Sequence, residues 1–249
     1  RSFRFHFAPG ARDLAASGAP VCVYYVIDGE RLFEPVCALC DYYCGGKLKP
    51  RSACAVVGVD TGETRARLRD LTPTASGAGR DGRSPPGAAP QGGGAARFLR
   101  YLREELTPQA EALLPAGIRP ARRALLGHSL GGLFTLSSVG SGSKFFEDFA
   151  AADASLWWDA GSALGREADR LSALPPGSLA GTRVIAGFAT APRPGKELHF
   201  EQAGEFERVL GPVLRRLGAR LEARLCPEET HATVALPVFA LALKRFILG

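Results

Sequence analysis

The chain has 249 residues, 46% of them hydrophobic and 22% charged, with a formal net charge of +6. This is ordinary globular usage, and no apolar run approaches the roughly 18 residues of a membrane span, so no membrane partner is expected. The positive excess favours anionic partners in general, but no basic stripe interleaves with aromatics, so nucleic acid is not among the expected ligands. One core serving residues 1–249 as a single domain is the expectation. A cytoplasmic location is favoured, with a periplasmic or secreted one open if a signal peptide has been removed, and oligomeric state stays open.

In chain order, a strand-like RFHF near the start is followed by VCVYYVI at 21–27 and ACAVVGV at 53–59. Both runs are nearly continuously apolar, the pattern of strands buried on two faces. Between them Cys37, Cys40 and Cys44 are spaced to share one helix face. No histidine is near and no second CxxC follows, so packing rather than metal binding is expected. Residues 72–94 are Gly, Pro, Ala and Ser with hardly an apolar side chain, an excursion from the core. Helical patterns at 95–114, 130–139, 200–217 and 233–247 then alternate with strands at 122–127, 147–153, 183–189 and 221–227. Such alternation predicts an α/β fold with a mostly parallel sheet covered on both faces.

The chemistry-bearing signal is GHSLGG, where Gly127, Ser129 and Gly131 form G-x-S-x-G between an apolar strand and a helix. Small flanking residues let the chain pass close to itself in that turn, and the helix N-terminus favours a developing anion. A serine hydroxyl needs a base. Of four histidines, His6 lies on the first strand, His128 is interior to the turn and directed away from any substrate, and His199 lies in the polar KELHFEQ. His231 follows the last strand and precedes the last helix, where the base of an α/β hydrolase arrives. The amide of Leu130, next after the serine, is the first expected oxyanion donor.

GHSLGGLF, ADASLWW, RLRDLTP, YYVIDG and ETHATV before a terminal helix together resemble the putative-esterase family that includes esterase D and the siderophore trilactone esterases. The likeness runs from about residue 3 to 248. It implies an α/β-hydrolase fold with Ser129 and His231 catalytic. It also implies a second oxyanion amide from Gly29 or Glu30, and substrate contacts from Trp157, Trp158 and Arg69. Core packing is the rival role for a tryptophan, and a surface ion pair for Arg69. Where this fold's acid is expected, after RVIAG, the chain continues Phe188, Ala189, Thr190. Glu197, Glu201 and Asp159 are therefore the candidate acids, and a Ser-His dyad the alternative.

The expected activity is hydrolysis of a small carboxylic ester through an acyl-serine, with no metal and no organic cofactor. A siderophore trilactone leads as substrate. The alternatives are a generic acyl or acetyl-carbohydrate esterase and a catalytically silent binding protein of the same fold.

Overall fold

In a computed structural model of the chain, residues 1–45, 48–78, 89–141, 144–191 and 198–249 are described, with backbone alone at 198–200. Strands β2 (Val21–Ile27) and β3 (Ala53–Val59) are buried at every position, because helices cover both faces of the sheet they form. β1 (Phe3–Phe7) adds antiparallel to the outer edge of β3. The remaining strands are β6 (Pro120–His128), β7 (Asp148–Ala152), β8 (Arg183–Ala189) and β9 (Arg220–Cys226), all parallel, and the sheet order is β1-β3-β2-β6-β7-β8-β9. The order reverses direction between β2 and β6. Open α/β sheets gather their functional loops beyond the carboxyl ends of strands at such a point.

The helices are α1 (Pro9–Ala16), α2 (Gly29–Cys44), α3 (Thr64–Leu71), α4 (Ala95–Tyr101), α5 (Thr107–Glu111), α6 (Leu130–Ser137), α7 (Ser162–Ser172), α8 (Leu198–Arg216) and α9 (Ala235–Leu248). The helical pattern at 95–114 is in fact α4 and α5 joined through a π-helical turn, Leu102–Leu106. Helices outside the expected set are α1, α3 and α7. The first is eight residues long and buries only Ala11, so it offers little periodicity to detect. In α7, Leu164, Ala168 and Leu171 form a legible stripe at helical spacing.

Cys37, Cys40 and Cys44 do share the inward face of α2, and the six cysteines are free thiols. Within the 72–94 excursion the two ends pair as a short antiparallel hairpin, β4 (Ala75–Ser76) on β5 (Gln91–Gly92), fastened where the Gly93 amide donates to Thr72 Oγ1 at 3.0 Å. Residues 79–88 of it lie outside those described. Among the described residues no helix is long and apolar enough to cross a membrane.

Sheet and last helix are in tight contact at Gly187 on β8, where an added Cβ would land on the Val238 side chain of α9. Gly187→Ala should cost about 1–3 kcal/mol by overpacking, and Val238→Ala in the same chain should recover part of it. Urea unfolding of the two single variants and the double variant measures this; additive losses would show that the methyl does not compete with Val238.

Candidate active site

β6 runs apolar and buried into His128, and α6 starts at Leu130, so one residue must turn the chain. That residue is Ser129, at φ 60° and ψ −119°, strained for any side chain. Its amide donates to the Ala152 carbonyl at 3.0 Å, and its carbonyl accepts from the amides of Leu133 and Ser155, each at 3.0 Å. Gly127 makes the turn possible, since a Cβ there would land on the Gly131 carbonyl oxygen.

The segment between β9 and α9 returns over this turn and delivers His231. Its Nε2 lies 3.0 Å from Ser129 Oγ, and its Nδ1 lies 2.6 Å from Asp153 Oδ2. Because a carboxylate accepts, Nδ1 carries the proton and the Nε2 lone pair faces the serine hydroxyl. Asp153 is the first residue beyond β7, buried, and in the left-handed region at φ 42°. Its other oxygen accepts the Ala189 amide at 3.2 Å, which fixes the carboxylate plane. Ser155 Oγ approaches Ser129 Oγ to 3.2 Å.

The expectation for the acid is therefore corrected. Glu201 lies exposed on α8, in a cavity with Phe188 and Leu225. Asp159 accepts from Ser162 Oγ at 2.9 Å and sits 3.9 Å from Arg166. Neither is brought onto His231, and Glu197 lies outside the described residues. The dyad reading gives way as well, because the imidazole has a buried anionic partner in Asp153.

On the opposite side of the serine, Leu130 and Gly131 open α6, where backbone amides have no intrahelical acceptor. Gly29 and Glu30 open α2 just past β2. Asp28 holds the turn before them in the left-handed region, its carboxylate taken by Thr61 Oγ1 at 2.5 Å and by Arg67 at 2.6 and 2.7 Å. This turn abuts the elbow, for a Cβ on Gly131 would stand 3.1 Å from Ile27 Cγ2. The Gly29 carbonyl accepts from Arg4 and the Glu30 carboxylate from the Gly62 amide at 2.6 Å; as the first residues of α2, Gly29 and Glu30 have backbone amides without an intrahelical acceptor and stay candidates.

Of the expected substrate contacts, Trp158 is a core residue: it is buried and its Nε1 donates to the Thr74 carbonyl at 2.9 Å. Trp157 is half-buried against it, with ring centroids 5.8 Å apart. Arg69 makes a bidentate pair with Asp70 at 2.7 Å and also lines a cavity with Glu63, Arg65 and Gln91. His6 pairs with Asp41 at 2.7 Å, and the side chain of His199 is not described. Among the described residues no cluster of His, Cys, Asp and Glu is arranged to hold a metal ion.

His128 does not simply point away. It is buried with its ring 4.6 Å from that of His231, accepts from Arg31 Nη2 at Nδ1 (2.8 Å), and donates from Nε2 to the His231 carbonyl at 2.7 Å. Burial first, and then the neighbouring His231, push its pKa down to about 4.

A family model described as "Putative esterase" matches residues 13–180, more than half of the chain. A siderophore triacetylfusarinine C esterase of Aspergillus fumigatus is 29% identical over 59% of this chain and 48% of its own length. The ferri-bacillibactin esterase BesA of Bacillus subtilis is 30% identical over 77% of this chain and 65% of its own. The chain thus spans about half to two thirds of the length of these two relatives. An IroE-like serine hydrolase from Shewanella oneidensis superposes with a TM-score of 0.80 at 26% identity, covering 98% of this chain and 74% of that one.

The lowered pKa of His128 makes a prediction with a definite sign. The unfolded chain takes up this proton near pH 6.5 and the native chain only near pH 4, so acid favours unfolding across that window. Of the wild-type stability at pH 7, about 3 kcal/mol should be lost through this group by pH 4. His128→Gln should lack that component, giving a shallower decline in urea-unfolding free energy between pH 7 and 4. Parallel pH curves for the two proteins would mean that the imidazole does not resist protonation.

Proposed function

This chain belongs to the Putative esterase family, and from that premise we propose that it is a serine carboxylic-ester hydrolase acting on a siderophore-type trilactone. The observation that carries the proposal is the unbroken line from Asp153 Oδ2 through His231 to Ser129 Oγ, with bonds of 2.6 and 3.0 Å. A catalytically silent binding protein has no need for such a line with its tautomer already set.

In this reading His231 Nε2 removes the Ser129 proton as Oγ attacks the ester carbonyl. The imidazolium that forms is stabilised and oriented by Asp153. Since the Ser129 hydroxyl donates to His231, the Ser155 hydroxyl is the donor of the pair and stabilises the attacking oxygen. The tetrahedral oxyanion is held by the amide of Leu130 and that of Gly29 or Glu30. His231 returns the proton to the leaving alkoxide, leaving acyl-Ser129. Water then attacks the acyl carbon, again losing its proton to His231, and the acid departs as Ser129 is restored.

The substrate class is supported by the relatives whose names describe siderophore esterases and by the cavity that Arg65 and Arg69 line. Guanidinium groups there suit an anionic catecholate better than a neutral acyl ester. Trp157, half-buried two residues beyond Ser155, is the aromatic this reading assigns to such a ring.

Ser129→Ala should lose all esterase activity and all labelling by a fluorophosphonate probe while staying folded. Asp153→Asn should lose about 10³–10⁴-fold in kcat, whereas Asp159→Asn, Glu197→Gln and Glu201→Gln should each remain within about tenfold of wild type. Labelling of the Ser129→Ala protein, or a collapse in one of the last three variants, would reassign the nucleophile or the acid.

For the substrate, a cyclic catecholate trilactone should exceed p-nitrophenyl acetate in kcat/KM by more than about tenfold, because remote binding energy lowers the barrier. The trilactone value should fall with ionic strength and fall again in Arg69→Ala, with the p-nitrophenyl ester unaffected by either. Equal rates on both esters would favour the generic esterase.

A further inference from the structure

The segment that carries His231 is short and turn-like, and its flanking residues Pro227, Glu228, Ala232 and Thr233 are exposed. Local hydrogen bonds shape it: Glu229 N donates to the Cys226 carbonyl at 3.1 Å and Val234 N to the Thr230 carbonyl at 3.0 Å. These set its curvature, yet they do not tie His231 to the nucleophile strand. A buried tie to that strand is supplied by His128, the last residue of β6 and the immediate neighbour of Ser129.

The protonation pattern of His128 is fully determined by its two partners. Arg31 is a donor without acceptor capacity, so Nδ1 must present its lone pair; the His231 carbonyl accepts, so Nε2 must carry the proton. Only the neutral Nε2–H tautomer satisfies both. The depressed pKa keeps the ring in that form across the range in which an esterase of this kind works.

We propose that His128 is a positioning residue for the base: Arg31 selects its tautomer, and its Nε2–H clamps the His231 main-chain carbonyl so that the imidazole stays in line between Asp153 and Ser129. The inference rests on the reading of Ser129 and His231 as nucleophile and base. It adds that the residue before the nucleophile registers the base loop against the elbow, through a bond to backbone rather than through contact with substrate. Elbow and base are then fixed to each other within two adjacent residues of one strand end, and a displacement of the imidazole by about 1 Å would cost on the order of 100-fold in rate.

The two side-chain amides separate the contacts. Glutamine reaches with its Nε2 to the place of histidine Nε2 and can donate to the His231 carbonyl; asparagine ends near the place of Nδ1 and can meet Arg31 but not the carbonyl. His128→Gln should therefore keep kcat for p-nitrophenyl acetate within about fivefold of wild type, while His128→Asn and His128→Ala fall by about 30- to 100-fold at nearly unchanged KM. Arg31→Gln, an exposed change that leaves the core alone, should lower kcat by several-fold by releasing the other tautomer. A readout independent of turnover is the downfield proton resonance of the His231 Nδ1–H to Asp153, identified by its loss in His231→Ala. It should persist in His128→Gln and broaden or vanish in His128→Asn. Variants with circular dichroism like wild type, full kcat and an unchanged Nδ1 resonance in both His128→Asn and Arg31→Gln would overturn the proposal. So would a His128→Gln protein as impaired as His128→Asn. Wild-type protein without esterase activity, but with an Nδ1 resonance that responds to His128 as described, would instead overturn the esterase reading and leave the clamp standing.

Discussion

The backbone at Ser129 is the constraint to which the rest of the site answers. A non-glycine residue at φ 60° and ψ −119° costs of the order of 1–3 kcal/mol and persists only if its surroundings determine it. Here they do, on three sides. The Ser129 amide bonds to the end of β7, its carbonyl serves both the first turn of α6 and the amide of Ser155, and Gly127 lets the α6 backbone close over β6. The strain places Oγ clear of the sheet at a helix N-terminus and at the same time makes the ends of β6, β7 and α6 a single hydrogen-bonded unit.

What has to be positioned against that unit is His231, which arrives on a separate connection after β9. Its ties from neighbouring strand ends include Asp153 beyond β7 to the ring, His128 at the end of β6 to the main chain, and the Ala191 amide beyond β8 to the Glu229 carbonyl. Charge elsewhere in the sheet is arranged to hold the strands that carry these ends. Asp148, buried at the start of β7, takes bidentate pairs from Arg122 of β6 and Arg183 of β8, tying three neighbouring strands at the end opposite the site. An ion pair this enclosed is costly to break, since removing one partner leaves an uncompensated buried charge.

The sheet was legible in the sequence because strands buried on both faces are apolar throughout: VCVYYVI, ACAVVGV and RVIAGFA coincide with β2, β3 and β8. Ser129 and His231 were legible because each follows a strand end with its own local pattern, and the structure sets them 3.0 Å apart. The 95–114 helix is broken by a π turn that residue periodicity does not register. Roles for the motif tryptophans were less legible, because burial decides them: Trp158 is enclosed and bonded to Thr74, while Trp157 is only half-buried.

The carboxylate that meets His231 escaped for a geometric reason. Its signal lay in plain view in ADASLWW, where Asp153 stands at the second position, but that segment reads as a substrate rim rather than as a strand end. β7 and β8 are adjacent and parallel, with Ala152 opposite Gly187, so their carboxyl ends are one strand spacing apart, about 4.8 Å. The Asp153 amide donates to the Gly187 carbonyl at 2.7 Å and its carboxylate accepts from the Ala189 amide. The carboxylate is thus held by the end of the very strand after which an acid was expected. A carboxyl group launched from either strand end can meet the same imidazole nitrogen, provided the backbone at the launch point turns sharply enough. At Asp153 that turn is the left-handed conformation at φ 42°, one that aspartate tolerates better than most residues. The requirement on the sequence is therefore a carboxylate at the rim formed by two neighbouring strands, not a carboxylate after one particular strand, and Phe188, Ala189 and Thr190 are free to be apolar or small because the position beside them is already filled.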